Sequence, residues 1–117
     1  MGDCIFCKIV AGDIETDAVY EDDEVFAFKD IDPKAPVHVL IIPKAHTSAP
    51  AELGPPDCRA AGQMFVAAEK IARETGVGGA GYRLIINQGD DAGQEVEHLH
   101  MHLLAGTKLG PMVSAKQ

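Results

Sequence analysis

Residues 98 to 104 read His98-Leu99-His100-Met101-His102-Leu103-Leu104, and this alternation constrains the fold more than any other stretch. Side chains of a strand alternate between its two faces. On a strand, three imidazoles share one side while Leu99, Met101 and Leu103 enter a core. On a helix, His98 and His102 would align and His100 would face nearly away. The apolar residues at every second position select the strand, expected over Leu99 to Leu104. Three of the chain's five histidines on one face are too costly as filler. Two chemistries fit them. One is a metal site, since His-x-His on a strand suits zinc or iron. The other is covalent catalysis, with a neutral imidazole attacking an electrophile.

The remaining elements are read by the same periodicities. Ala18 to Tyr20 and Glu24 to Phe28 flank the turn Glu21-Asp22-Asp23 as antiparallel neighbours. Val37 to Ile42, closed by Pro43, reads as a buried central strand, and Tyr82 to Asn87 as another. His46 to Pro56 is a connector rich in Pro, Ser and Gly. A helix is expected from Asp57 as N-cap, with Ala61, Met64, Phe65, Ala68, Ile71 and Ala72 as its apolar stripe. Gly76 to Gly81 matches G-x-G-x-x-G as a string, but it closes a helix and opens a strand, the reverse of a dinucleotide site. It is a helix C-cap and turn. The sum is one α+β domain over residues 1–117, with a mostly antiparallel five-stranded sheet, one long helix and a short N-terminal helix or turn at Asp3 to Val10. Only 5% of the residues are aromatic and none is Trp, so aliphatic side chains must fill a modest core. A dimer or a metal would help to stabilise it.

A formal net charge of -8 disfavours long nucleic acids and anionic membranes as partners. A single nucleotide remains possible if backbone N–H groups and imidazoles supply local donors. No apolar run reaches transmembrane length, and no signal-peptide core follows the N-terminus. Met1-Gly2 lacks the Ser or Thr that myristoylation wants, since Phe6 stands there. A cytoplasmic location is expected. In a reducing compartment Cys4-Ile5-Phe6-Cys7 is a metal or redox pair rather than a disulfide. No βα unit follows it, which disfavours a thioredoxin-like role. Cys58 is an isolated, ordinary thiol. Asn87 to Glu95 is a polar, glycine-containing loop whose backbone N–H groups could form an anion nest.

His98 to Leu104 fits His-φ-His-φ-His-φ-φ, where φ is apolar, and by this the chain resembles the histidine-triad family. The resemblance spans nearly the whole chain and points to its Hint branch of purine nucleoside phosphoramidases. Tyr20-Glu21-Asp22-Asp23, Ala27-Phe28-Lys29-Asp30-Ile31, Ala35-Pro36-Val37-His38, Ile42-Pro43-Lys44 and Gly93-Gln94-Glu95-Val96 carry it further. Leu109-Gly110-Pro111-Met112 is similar to the bacterial members.

The resemblance implies roles residue by residue. His100 corresponds to the nucleophile, His102 to a phosphate-contacting histidine and His38 to a histidine behind the triad. Asn87, Gly93 and the backbone of Gln94 and Glu95 correspond to the phosphate loop. Asp30 corresponds to the carboxylate that holds the ribose hydroxyls, and Val19, Phe28, Ile31 and Leu40 to the apolar walls around the base. Glu95 stands where some animal relatives carry Ser. Some relatives with the N-terminal cysteine pair bind structural zinc, and their ligands correspond to Cys4, Cys7, His46 and His98. The implied protein is a homodimer that needs no metal for its chemistry.

The expected reaction cleaves the phosphorus–nitrogen bond of a purine nucleoside 5′-phosphoramidate, or an acyl-nucleotide, through a nucleotidyl-histidine. Loop donors and His102 would stabilise charge on the phosphoryl oxygens. Two rivals stand beside it: a dinucleoside polyphosphate hydrolase, disfavoured by the short chain and its Leu109 to Met112 ending, and a nucleotide-binding interaction module with incidental hydrolysis.

Overall fold

The structure, a computed structural model, describes residues 4–113. Met1-Gly2 and its myristoylation reading lie outside them. A short helix α1 (Ile5–Ala11) is followed by strands β1 (Ala18–Glu21), β2 (Val25–Lys29) and β3 (Val37–Pro43). The long helix α2 (Cys58–Glu74) then leads to β4 (Tyr82–Ile86) and β5 (Met101–Ala105). The sheet order is β1-β2-β3-β5-β4, and every pairing is antiparallel. No helix among the described residues is long and apolar enough to cross a membrane.

Alternation along the central strands divides the core in two. Val25, Ala27, Val39, Ile41, Met101 and Leu103 pack with Met64, Ala67, Ala68, Ile71 and Ala72 of α2. Phe26, Phe28, Leu40 and Ile42 point the other way and pack with Phe6 and Ile9 of α1. His102 lies between Met101 and Leu103 in sequence, so it faces the α1 side. The turn before β2 is held by Asp22. One of its oxygens accepts from the Glu24 and Val25 N–H groups at 2.8 Å. The other accepts from the Tyr20 hydroxyl at 2.6 Å and from Gln63 of α2 at 2.9 Å. Burial alone would raise the Asp22 carboxyl, but these donors outweigh it and hold it below the usual carboxylate range.

Three local expectations are corrected. Asp57 does not cap α2 with its side chain; a 3-10 turn (Pro55–Asp57) runs into the helix, and the carboxylate accepts from the Gly54 N–H at 2.8 Å. Phe65 is 55% exposed, and Ala67 takes its place in the stripe, because the buried arc of α2 is centred one residue away. The last strand begins at Met101 instead of Leu99. Its partner β3 ends at Pro43, and the chain before Met101 turns to other acceptors: the Leu99 N–H to the Thr47 carbonyl, and the His98 ring to the Pro43 carbonyl.

Candidate active site and metal centre

The three triad imidazoles do not share one environment. Leu99, Met101 and Leu103 enter the helix-side core as expected. On the opposite side the histidines divide: His98 joins Cys4, Cys7 and His46, while His100 and His102 join His38. The phenyl ring of Phe6 stands between, perpendicular to both His98 and His100.

Each ring's tautomer follows from its fixed partner. His100 Nδ1 is 2.7 Å from the His98 carbonyl, which can only accept, so Nδ1 carries the proton and Nε2 keeps a free lone pair. On the sheet, His102 is opposite Leu40 and His38 opposite Leu104, which makes the two histidines diagonal neighbours on one face. The Lys34 N–H donates to His38 Nδ1 at 3.0 Å, so His38 Nε2 holds the proton of the neutral ring. His38 Nε2 is 3.0 Å from His102 Nδ1 and donates to it, which leaves His102 with an Nε2–H. A free base therefore stands at His100 beside a free donor at His102, with ring centroids 5.1 Å apart.

Burial holds His38 and His102 neutral. Burial, then the neighbouring His100 and His38, lowers His102 to about 4. Burial also lowers His38, against the opposing charge of Asp30. Asp30 Oδ2 is 3.4 Å from His38 Nε2, and Oδ1 accepts from the Asp32 N–H at 2.8 Å. Asp30, His38 and His102 bring their donor atoms close enough to suggest a metal. The His38–His102 contact is instead a hydrogen bond, since the Lys34 contact leaves a proton on Nε2.

The expected substrate contacts are placed unevenly. Phe28 and Leu40 lie together on the α1 side, where the half-buried Ile14 joins them. Val19 does not: it packs on the helix-side cluster. A register shift between Ala18 and Tyr20 in β1 breaks the alternation that would have turned Val19 toward Phe28. Ile31 is 97% exposed just beyond β2. Asn87 is half-buried after β4.

In the loop, Gly89 and Gly93 have φ of +84° and +82°, which favours glycine. The Gly93 N–H donates to the Asp90 carbonyl and the Gln94 N–H to the Gly89 carbonyl. The Gln94 side chain accepts from the Gly89 N–H and donates to the Ser48 and Val96 carbonyls. The nest expected from Gly93 and Gln94 is thus turned inward, and Gln94 staples the loop to the connector. Glu95, which is exposed, takes part in none of these bonds.

The metal-ligating expectation gathers into one cluster. One donor atom from each of Cys4, Cys7, His46 and His98 lies within 4.8 Å of the others. His98 Nδ1 is 3.3 Å from Cys4 Sγ and 3.6 Å from Cys7 Sγ, and His46 Nδ1 is 3.3 Å from Cys7 Sγ. His98 is fully buried, and its Nε2–H donates to the Pro43 carbonyl at 2.9 Å, leaving Nδ1 as a free lone pair inside the cluster. Histidine ligands are commonly oriented by such a carbonyl. Burial, then Cys4, pushes the Cys7 thiol up in the absence of a cation. Two thiols and two imidazole lone pairs so arranged fit a soft divalent ion.

Sequence reasoning missed Phe6 as more than packing, and missed Ile14, Lys34 and the Pro43 carbonyl. The latter two act through the backbone and leave no residue-type signal.

The HIT domain family model matches residues 11–109. The chain is 47% identical over 112 residues to the purine nucleoside phosphoramidase of Escherichia coli strain K12, covering 96% of this chain and 94% of that protein. It is 44% identical over 104 residues to protein HitA of Neisseria gonorrhoeae, covering 89% and 96%. Among solved structures, a histidine triad protein from Clostridium difficile superposes with a TM-score of 0.92 at 45% identity, covering 97% of this chain and 98% of that one. A HIT family hydrolase from Legionella pneumophila gives 0.90 at 41%, covering 92% and 96%.

Proposed function

This chain belongs to the HIT domain, or histidine-triad, family, and from that premise we propose that it hydrolyses purine nucleoside 5′-phosphoramidates with His100 as nucleophile. The observation that carries this reading is the His100 tautomer: Nδ1–H is committed to the His98 carbonyl at 2.7 Å, so Nε2 is free to attack. The Nε2 lone pair forms a bond to phosphorus while the substrate's phosphorus–nitrogen bond breaks. The departing nitrogen keeps that electron pair and takes a proton from water. A second water then attacks phosphorus and gives a proton to the hydroxide left by the first, the Nε2–phosphorus bond breaks with its electron pair returning to Nε2, and a nucleoside 5′-monophosphate leaves with neutral His100 restored. His102 Nε2–H donates to a phosphoryl oxygen, where charge rises in each transition state. His38 is a positioning residue that fixes the His102 tautomer. The test is to quench turnover in alkaline denaturant and weigh the His100 peptide. A nucleotidyl mass increment there is expected, and an increment on any other residue overturns the assignment.

Phe28, Leu40 and Ile31 form the walls for the base, with Asn87 and the Glu95 N–H as contacts to phosphate. Asp30 holds the ribose hydroxyls through Oδ2. A deoxyribose substrate leaves that acceptor unpaired, which costs about 1–3 kcal/mol, or roughly 5- to 150-fold in kcat/KM. Equal kcat/KM for ribo- and deoxyribo-phosphoramidates removes Asp30 from this role.

Cys4, Cys7, His46 and His98 hold structural zinc, and the chemistry needs no metal. The dinucleoside polyphosphate reading gains no support from a specific observation. A cytoplasmic homodimer completes the proposal. β4 is an edge strand with Tyr82 and Ile86 partly exposed, and α2 leaves Phe65 and Val66 exposed. An unpaired apolar edge invites pairing with a second copy. Sedimentation at the monomer mass rejects the dimer.

A further inference from the structure

We propose that Phe6 is a positioning residue for the His100 imidazole, and that Cys4 and Cys7 on either side of it hold it in place. The proposal rests on the reading of His100 as nucleophile.

His100 is 6% exposed, and among the described residues the one polar contact that fixes its ring is Nδ1–H to the His98 carbonyl at 2.7 Å. One hydrogen bond at one corner leaves a ring free to swing, because the terminal torsion of an imidazole is broad. Phe6 closes that freedom. Its ring meets His100 at 5.1 Å and 81°, His98 at 5.8 Å and 74°, and Phe28 at 5.7 Å and 69°. All three are the edge-to-face arrangement that aromatic rings prefer. Phe28 belongs to the sheet, so the wedge has a rigid back wall.

What brings Phe6 there is a helix of seven residues, too short to persist without fastening. Its N-cap is Cys4, whose sulfur accepts from the Cys7 N–H at 3.3 Å. The same sulfur reaches His98, and Cys7 reaches His46. The cluster therefore clamps the helix on both sides of Phe6, and His98 supplies both a cluster donor and the carbonyl that sets the His100 tautomer. Integrity of the cluster reaches the nucleophile through the Phe6 ring.

The test uses the full chain loaded with zinc. Phe6→Leu keeps apolar bulk and removes the plane. It should lower kcat about tenfold while KM for an adenosine phosphoramidate and zinc content stay within about twofold. The His100 Nδ1–H, followed by imidazole NMR, should exchange faster with water, while the His38–His102 proton is unmoved. Cys7→Ser should also lower kcat, and the double variant should lose little more than the worse single one, since both act through one contact. Phe6→Met carries the same expectations should Phe6→Leu not fold. A raised KM with kcat unchanged would make Phe6 a wall of the nucleotide site and overturn the proposal. So would an unmoved His100 Nδ1–H, or losses that multiply. Failure of the nucleophile reading is seen separately, as turnover retained by His100→Ala.

Discussion

His100→Ala should lose nearly all turnover of an adenosine phosphoramidate, by about a thousandfold or more, while keeping its fold and its affinity for nucleotide. The size of the loss follows from the geometry. His100 Nε2 is a free lone pair on the phosphate side of the site; the lone pairs of His38 and His102 are occupied by the Lys34 and His38 N–H groups, and that of His98 faces Cys4 and Cys7. No neighbour can take over the attack without first breaking a buried hydrogen bond. The donor at His102 remains in the variant, so binding of the phosphoryl group survives and the loss falls on kcat. The nucleotidyl adduct should vanish with it. Hydrolysis within tenfold of the parent, measured under saturating substrate, would sink the assignment.

The alternation of His98 to Leu104 was readable because burying Leu99, Met101 and Leu103 against α2 is a local consequence of pleating. Which imidazole does what was not readable from periodicity, because two of the three tautomers are set by partners remote in sequence: Pro43 for His98 and, for His102, His38 on another strand. The diversion of the Leu99 N–H to the Thr47 carbonyl moved the start of β5, and no propensity at Leu99 signals this. Val19 shows the weakness of alternation most clearly. One irregular residue pair in β1 carries it to the opposite side of the sheet. The loop expectation failed in part for a different reason. Glycine at positive φ announces a tight turn, but not whether the turn's N–H groups face a ligand or its own carbonyls.

Changing Cys4 and Cys7 together to Ser should abolish stoichiometric zinc and lower the melting temperature by about 10 °C or more. A loss of about 2–3 kcal/mol shifts a domain of this size by about 4 °C per kcal/mol. The cluster joins α1 to the connector after β3 and to the residues before β5, three segments distant in sequence. His98 is fully buried with Nδ1 facing two sulfurs, so loss of a metal would leave a buried imidazole lone pair against two half-buried cysteines. Four protein donors leave no open position for water, which makes such a metal a staple and not a generator of hydroxide. Because thiols must lose their protons to bind, the stabilisation should weaken as pH falls, and zinc release should precede unfolding in acid. Activity should fall only about tenfold through the slackened Phe6 contact, against about a thousandfold for His100→Ala, because His100 and His102 are outside the donor set. Elemental analysis of protein purified without chelator reads the first part, and absence of zinc rejects the site. Complete arrest of turnover by a chelator, at a temperature where circular dichroism shows the fold intact, would make the metal catalytic and reopen the assignment of His100.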